Sequence, residues 1–248
     1  MFADEVLTIA ALGLLASLAT ALLSMPVCAR LARRVGVVDK PGGRKTHADV
    51  TPLMGGVGLL IAAVAGFAVV RWQADVRLGS DLGLADPRFL YTIGGALVLF
   101  VTGLVDDVFK ETMTFQPKLL GQVAGVVLLM WPHLEALATD GGSVAGWLYQ
   151  LFFLGWYLTI INSFNFSDNM NGLMSGLSVI SFTAAILYLQ NAESTRSMMV
   201  AVILLGALAG FLPYNFPRSK LFLGDAGSMF VGFLMAWIQF DLVKGFMH

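Results

Sequence analysis

Long apolar stretches separated by short polar segments dominate the pattern of this 248-residue chain. A helix needs about 20 apolar residues to cross roughly 30 Å of hydrocarbon, because it rises about 1.5 Å per residue. Eight stretches reach or approach that length, and we predict helical spans near residues 6–26, 52–72, 89–105, 118–132, 144–161, 173–189, 198–213 and 228–243. Backbone groups inside a bilayer must be satisfied within the chain, which favours helices. The pattern predicts an all-α, polytopic integral membrane bundle of about eight transmembrane helices.

The polar segment 162–173 interrupts this pattern most strongly. It carries four asparagines, one aspartate and one glycine between two apolar stretches. Asparagine and aspartate bond locally to the backbone, and each costs free energy inside hydrocarbon. Asparagine also offers a donor and an acceptor together, which suits a nucleobase or an N-acetyl group. The segment indicates a polar site at the membrane face; a short loop that uses asparagines as turn formers is the alternative.

Composition supports the membrane class and narrows the partners. Of all residues, 57% are hydrophobic and only 12% are charged, which is about half the charged share of a soluble domain. The net charge of −1 gives no support to a nucleic-acid partner, and the single cysteine, Cys28, excludes a disulfide framework within the chain. The acidic N-terminus lacks the basic region of a secretory signal, so we expect the first apolar stretch to remain as a span.

Lysines and arginines predict the orientation, because they accumulate on the cytoplasmic side of membrane proteins. With the N-terminus outside, ten of the 15 basic residues fall in inner segments and five in outer ones. The first, third, fifth and seventh loops then share the inner face, and all four are polar. The outer loops are ordinary, with Gly, Ser, Ala and scattered charges that form no tight cluster. We therefore predict one composite site at the cytoplasmic surface.

Asp106 and Asp107 end the third apolar stretch. Two adjacent carboxylates can divide their roles: one can face a metal or a nucleophile while a cation such as Lys110 holds the other. The alternative is a solvated helix end, where the acids only mark the boundary of the membrane.

The segment 223–228 places Asp225 between glycines, just before the last apolar stretch. Glycines let the backbone approach a phosphate closely, and a helix that starts at Ser228 would direct its N–H groups towards an anion. Asp225 could then hold a Mg²⁺ ion that bridges diphosphate oxygens. The alternative is that Asp225 and Ser228 only cap the helix.

The first inner loop contains Arg44, Lys45 and His47 in a segment rich in glycine and proline. These side chains are candidates for binding a lipid phosphate beside the membrane. The alternative is that the basic residues only set the topology of the first span.

Together these segments resemble the polyprenyl-phosphate N-acetylhexosamine-1-phosphate transferase superfamily (bacterial glycosyltransferase family 4). The similarity runs from about residue 38 to residue 233 and is carried by 39–47 (DKPGGRKTH), 52–56 (PLMGG), 103–107 (GLVDD), 118–122 (KLLGQ), 162–173, 214–215 (YN) and 222–228 (FLGDAGS). The basic loop is more similar to the branch that transfers simple sugars than to the muramyl-pentapeptide branch. Each segment is weak alone, but their order on one predicted face is specific.

The resemblance implies a reaction. A polyprenyl phosphate, in bacteria usually undecaprenyl phosphate, attacks the β-phosphate of a UDP-amino sugar, with UDP-GlcNAc as the expected donor. Sugar 1-phosphate is transferred, either by direct displacement or through a covalent aspartyl intermediate, UMP leaves, and the lipid-linked product starts the synthesis of a cell-envelope polysaccharide. The expected setting is the bacterial inner membrane, with Mg²⁺ as the cofactor and Mn²⁺ as its alternative. A homodimer is compatible with this interpretation.

The resemblance also implies roles for individual residues. Asp225 and Asp168 would hold the metal, and Asp106 would deprotonate or position the lipid phosphate. The implied catalytic set is acidic: Asp106, Asp107, Asp168 and Asp225. The implied substrate-binding set is cationic or amide: Arg44, Lys45, His47, Lys110, Lys118, Asn162, Asn165, Asn171 and Asn215.

Two departures from the family bear on function. Bacterial members read Asp-Gly-x-Asp-Gly-Leu where this chain has Asn169 and Asn171, although eukaryotic members share the ending Asn-Gly-Leu. We also expect residues 1–248 to form a single transferase domain without the family's C-terminal sugar-recognition loop and last helices. A non-catalytic relative that binds polyprenyl phosphate or scaffolds a partner enzyme is therefore the second hypothesis. A transporter fits less well, because the charges cluster at one face and no inverted repeat is found.

Overall fold

The computed structural model describes residues 2–39, 50–109, 114–139, 141–189 and 194–246. The described residues form eight helices and one short antiparallel sheet: α1 Phe2–Val35, β1 Val38–Asp39, β2 Thr51–Pro52, α2 Gly55–Leu78, α3 Pro87–Val108, α4 Phe115–Thr139, α5 Val144–Ser167, α6 Leu173–Leu189, α7 Thr195–Asn215 and α8 Gly224–Phe246. Each predicted span coincides with one helix. In this part of the chain six helices, α1–α5 and α7, are long and apolar enough to cross a membrane, and α6 is a shorter apolar helix. The all-α, polytopic prediction is confirmed.

Several helix boundaries and the sheet differ from the prediction. The helices α2, α4 and α5 continue six or seven residues past their predicted ends, so Asn162 and Asn165, predicted to lie in a loop, belong to α5. The first span was predicted to end at Pro26, but α1 continues through that proline to Val35. The following alanines, leucine and arginines favour helix, and they outweigh the single N–H group that proline lacks. The last helix begins at Gly224 rather than Ser228. The sheet, which pairs Val38 with Pro52, was not predicted, because strands of two residues carry no periodic signal.

The last helix, α8, lies inside the bundle. It is buried throughout residues 226–238 and packs against α2, α3, α5, α6 and α7. The neighbouring α7 is also central: 72% of the residues in its most apolar stretch are buried, whereas only 17% are buried in the corresponding stretch of α5. A polar group at either end of α8 is therefore surrounded by the ends of other helices.

Glycines let two helices approach the first turn of α8 closely. A Cβ atom on Gly103 of α3 would collide with the Asp225 backbone, and one on Gly56 of α2 would lie 2.5 Å from the Gly227 nitrogen. Small residues allow this backbone-to-backbone packing between membrane helices. The position of Asp225 is consequently fixed from two sides by backbone contacts.

Candidate active site

Four helix ends meet at one end of the bundle. Since successive spans reverse direction, α3 and α5 end where α4 and α8 begin. Side chains from all four helix ends contact one another there, through Asp106, Lys118, Asn165 and Asp225. The structure thus brings three of the predicted polar segments into one site.

Lys118, in the first turn of α4, is the centre of a charged cluster. Its ammonium group lies 3.1 Å from Asp106 Oδ2, contacts Asp225 Oδ2 and donates to Asn165 Oδ1 at 3.3 Å. The three charged side chains are only 17–25% exposed, so water and salt screen their interactions weakly. One ammonium group between two carboxylates leaves a net negative charge. The arrangement therefore favours a further cation. We refer to Asp106, Lys118, Asn165, Asp225 and Ser228 as the Lys118 cluster.

Asn165 holds the Asp225 carboxylate from the α5 side. Its amide nitrogen donates to Asp225 Oδ1 and to Ser228 Oγ, each at 2.9 Å, while its amide oxygen accepts from Lys118. Both ends of the amide are therefore used within the cluster. The predicted substrate contact of Asn165 stays a prediction. In this structure Asn165 orients Asp225.

Asp107 has a different position from its neighbour Asp106. It is 5% exposed, and its two oxygens accept from the backbone N–H groups of Asp225 and Ala226 at 2.9 and 3.0 Å. Asp168 Oδ2 accepts from the Gly224 N–H group at 3.2 Å. Carboxylates at a helix N-terminus satisfy orphan donors and interact favourably with the helix dipole. We predicted that α8 starts at Ser228 and that its first N–H groups bind a substrate anion. In the structure the first N–H groups of α8 are bonded to Asp107 and Asp168.

Gly224 makes this capping arrangement possible. Its φ is +77°, a left-handed conformation that disfavours any residue with a Cβ atom. A Cβ there would also lie 2.5 Å from Asp107 Oδ2 and 2.8 Å from the Leu53 carbonyl oxygen. Glycine at this position is thus required both by the backbone and by the approach of the Asp107 carboxylate.

The segment that precedes α8 is bonded to the segment that precedes α2. The Phe222 N–H group donates to the Pro52 carbonyl at 2.9 Å, and the N–H groups of Gly55 and Gly56 donate to the Phe222 and Leu223 carbonyls at 3.0 and 2.7 Å. The two segments therefore act as one platform for Asp225. The adjacent glycines after Pro52 were visible in the sequence, but no chemistry was predicted for them because their role lies in the backbone.

Asn162 lies one turn earlier on α5 and pairs with Gln122 of α4. The Asn162 amide donates to Gln122 Oε1 at 2.9 Å, and the Gln122 amide donates back to Asn162 Oδ1 at 3.2 Å. Gln122 is 1% exposed. This reciprocal bond joins α4 to α5 directly beneath the cluster. Gln122 was part of the predicted motif, but nothing in the sequence indicated that its partner would be Asn162.

Asn215 connects two loops instead of joining the cluster. It is 2% exposed, and its amide oxygen accepts from the Gly172 N–H group at 2.8 Å while its nitrogen donates to the Leu221 carbonyl at 3.2 Å. Asn171 is exposed and donates to the Pro217 carbonyl at 3.5 Å. Both asparagines therefore support the loops beside the site. The predicted substrate contacts of Arg44, Lys45, His47 and Lys110 lie outside the described residues.

Magnesium is the predicted cofactor, with Asp225 and Asp168 as its predicted ligands. Proteins commonly bind Mg²⁺ through one or two carboxylates, and waters or substrate phosphates complete the shell. Asp106 and Asp225, which share Lys118, fit that pattern, and Asp168 lies close by on the Gly224 N–H group. Among the described residues no group of three or more His, Cys, Asp or Glu side chains is arranged to hold a metal. Asp106 and Asp225 would therefore need phosphate oxygens to complete such a site.

Comparison with known proteins places this arrangement in a family. Residues 89–243, which include every member of the Lys118 cluster, match glycosyl transferase family 4. The chain belongs to glycosyl transferase family 4. The superfamily predicted from the motifs is thereby confirmed, and with it a multi-pass membrane protein.

Three proteins similar to this family 4 chain are named as transferases of phosphorylated sugars. It is 29% identical over 238 residues to the probable undecaprenyl-phosphate N-acetylglucosaminyl 1-phosphate transferase of Bacillus subtilis, covering 93% of this chain and 62% of that protein. It is 29% identical over 229 residues to the undecaprenyl-phosphate alpha-N-acetylglucosaminyl 1-phosphate transferase of Escherichia coli O157:H7, covering 88% and 59%. It is 31% identical over 248 residues to the phospho-N-acetylmuramoyl-pentapeptide-transferase of Limosilactobacillus reuteri, covering 93% and 74%. The chain thus spans 59–62% of the length of the first two relatives.

Proposed function

We propose that this chain carries the transfer site of an enzyme that moves N-acetylhexosamine 1-phosphate from a UDP-sugar to a polyprenyl phosphate. The proposed substrates are UDP-GlcNAc and undecaprenyl phosphate, and the products are a polyprenyl-diphosphate sugar and UMP. The observation that supports this function is the Lys118 cluster, in which one ammonium group lies between two partly buried carboxylates at a bundle end. The names of two relatives describe transfer of this kind to undecaprenyl phosphate.

The proposed reaction is a direct displacement at phosphorus. An oxygen of the polyprenyl phosphate forms a bond to the β-phosphorus of the UDP-sugar, and the bond from that phosphorus to the bridging oxygen breaks. The bridging oxygen leaves on UMP with the electron pair. Such a transfer depends on positioning and charge neutralisation more than on a strong nucleophile.

Each member of the cluster has a proposed part in this displacement. Lys118 offers positive charge to the diphosphate oxygens, and Asp106 accepts the proton that the lipid phosphate carries or positions that phosphate. Asn165 and, through the backbone, Asp107 keep the Asp225 carboxylate in place. Asp225 and Asp106, with Asp168 nearby, would hold Mg²⁺, which would supply charge neutralisation to the phosphates.

The proposed setting is the cytoplasmic face of a bacterial inner membrane. A site at a membrane interface can meet a lipid phosphate from the bilayer and a nucleotide sugar from solution at the same time. The excess of lysine and arginine in the sequence segments predicted for this end of the bundle supports the inner location. Starting a cell-envelope polysaccharide is the proposed role of the product.

Turnover by the purified chain tests the proposal. With labelled UDP-GlcNAc, MgCl₂ and undecaprenyl phosphate, we expect lipid-linked label and an equal amount of UMP. Asp225→Asn and Asp106→Asn should each lower the rate by about 100-fold or more. Each variant removes one of the two carboxylate charges of the Lys118 cluster, where the phosphates are proposed to react. Asp75→Asn, which changes a 67% exposed carboxylate on α2, should leave the rate unchanged.

Two outcomes would contradict the proposal. The first is the absence of UMP release with a panel of UDP-sugars, when circular dichroism shows the protein to be folded. The second is polyprenyl-phosphate binding that survives Asp225→Asn without any turnover by the wild type, which would support a non-catalytic relative.

A further inference from the structure

A second polar cavity, of about 420 Å³, lies at the opposite end of the bundle. It is lined by the first parts of α3, α5 and α7 and the last parts of α4 and α8. Along α3 the cavity residue Asp86 and the cluster residue Asp106 are roughly 30 Å apart, at about 1.5 Å of rise per residue. This separation equals the hydrocarbon thickness of a bilayer. The cavity therefore lies at the other membrane interface.

Two polar groups that line the cavity could bond to a ligand. Tyr157 is 2% exposed, and its hydroxyl makes no hydrogen bond to any described residue. Asp241 accepts a hydrogen bond from the Ser197 hydroxyl, a neutral donor, and forms no ion pair among the side chains that the structure describes. Buried polar groups normally have partners, and a carboxylate normally has a cation. Tyr157 and Asp241 together offer oxygen acceptors and negative charge to a cationic ligand with hydrogen-bond donors.

Aromatic rings form much of the cavity wall around these groups. The Phe153 and Phe240 centroids are 4.2 Å apart, and those of Phe89 and Trp237 are 5.5 Å apart. Ring faces attract cations, quaternary ammonium ligands being the best-known case, and a primary ammonium group can in addition donate hydrogen bonds to acceptors beside the rings. One cation is already bound in this way, because the Arg196 guanidinium lies 5.5 Å from the Phe89 centroid. A carboxylate, a hydroxyl and aromatic rings together form a suitable site for an ammonium group.

Arg88 supplies the opposite charge at the same cavity. Asp86, its neighbour, is already paired with Arg196 at 3.0 Å. The Arg88 side chain is exposed and forms no ion pair with the described residues. A guanidinium group without a partner at a membrane interface is suited to a phosphate oxygen.

We propose that this cavity binds the headgroup of a phospholipid that carries a primary ammonium group. The ammonium group lies between Asp241 and Tyr157 among the aromatic rings, and the phosphate lies at Arg88. A headgroup with both charges matches a carboxylate and a guanidinium that line one cavity and form no ion pair with the described residues. The inference is independent of the transfer reaction proposed for the Lys118 cluster.

Lipid selection by the purified chain tests this proposal. Native mass spectrometry in an equimolar mixture of phosphatidylethanolamine, phosphatidylcholine and phosphatidylglycerol with identical acyl chains should show phosphatidylethanolamine retained about tenfold better than the others. Asp241→Asn keeps an acceptor for Ser197 but removes the charge, so it should abolish the preference. Tyr157→Phe should weaken it. Arg88→Gln should lower retention of all three lipids equally, since all carry a phosphate.

Matched variants separate this proposal from general effects. Asp75→Asn, which removes an exposed carboxylate near the same end, should select lipids as the wild type does. Asp225→Asn should do so too, so a failure of the transferase proposal would leave this test intact. Equal retention of the three lipids would overturn the proposal, as would an unaltered preference in folded Asp241→Asn protein. Should Asp241→Asn not fold, Tyr157→Phe decides, because it keeps the ring and removes only the hydroxyl.

Discussion

The two ends of α3 use their charged residues in opposite ways. At the cluster end, Asp106 is bonded to α4 and Asp107 to the N-terminus of α8. At the cavity end, Asp86 caps its own helix and pairs with Arg196, while Arg88 has no such partner among the described residues. At the first end both acids join helices to one another, whereas at the second end only the Asp86–Arg196 pair does so and Arg88 is available to the proposed ligand. Substitutions should therefore cost more stability at the cluster than at the cavity, where changes to Arg88 and Asp241 should alter lipid binding.

The same contrast exists between the neighbours Asp106 and Asp107. Consecutive helical residues point about 100° apart, because a turn takes about 3.6 residues. Asp106 therefore faces Lys118 while Asp107 faces the backbone of α8. The adjacent acids do not compete for one cation. One contributes charge to the candidate active site, and the other positions the helix that carries Asp225.

The largest effect on stability should come from Lys118→Met. This change leaves the Asp106 and Asp225 carboxylates close together without their shared cation, so they repel each other. Breaking a buried ion pair costs roughly 3–5 kcal/mol, and since these side chains remain 17–25% exposed we expect a loss of roughly 2–4 kcal/mol. Thermal unfolding in detergent, followed by circular dichroism, measures the change.

Added Mg²⁺ sharpens this prediction. If Asp106 and Asp225 hold the metal, Mg²⁺ should raise the Tm of Lys118→Met more than that of the wild type, because binding to the folded state stabilises it. Lys118→Arg keeps the charge and serves as the control. An unchanged Tm for Lys118→Met, or an equal Mg²⁺ effect on all three proteins, would contradict the role assigned to Lys118.

A smaller loss is expected when the cap of α8 is removed. Asp107→Ala leaves the N–H groups of Asp225 and Ala226 without acceptors, which should cost about 1–3 kcal/mol. Asp107→Asn keeps one oxygen acceptor but loses the charge, so it should be intermediate. Hydrogen exchange at these two amides should be faster in the order wild type, Asn, Ala. If both amides exchange at the wild-type rate in Asp107→Ala, Asp107 does not position α8.

The architecture could be predicted from the sequence because each helical span is determined by the apolar residues within its own segment of the chain. Each span is a run of apolar residues, and the alternation of spans places the odd-numbered loops at one face. These two facts were enough to predict eight helices and to bring Asp106, Asn165 and Asp225 together. The extension of α1 through Pro26 was missed, because proline is an ambiguous signal where strong helix formers follow it.

The partners within the site could not be predicted, because they depend on distances between helices. Nothing in the sequence indicates that Asp107 and Asp168 bind backbone N–H groups, or that Asn162 bonds to Gln122. Which N–H groups need a cap depends on the residue at which α8 begins. That residue is Gly224, with a φ of +77°, and not Ser228. The cavity at the other end was missed for the same reason. Its residues come from five helices and appear in the sequence as scattered charges.

The smallest effect belongs to Asp86, at the cavity end of α3. The Arg88 N–H group and then the Arg196 guanidinium hold the pKa of Asp86 below its ordinary value of 3.8. A lowered pKa in the folded state means that this carboxylate stabilises the fold above about pH 4, and that the contribution is lost as the pH falls through the folded-state pKa. The difference in Tm between wild type and Asp86→Asn should therefore be constant between about pH 5 and 7 and shrink below about pH 4. Thermal unfolding across this range measures it, with Asp75→Asn as the exposed-carboxylate control. A difference that is the same at every pH would show that Asp86 acts only as a neutral cap, and that the Asp86–Arg196 pair does not depend on charge.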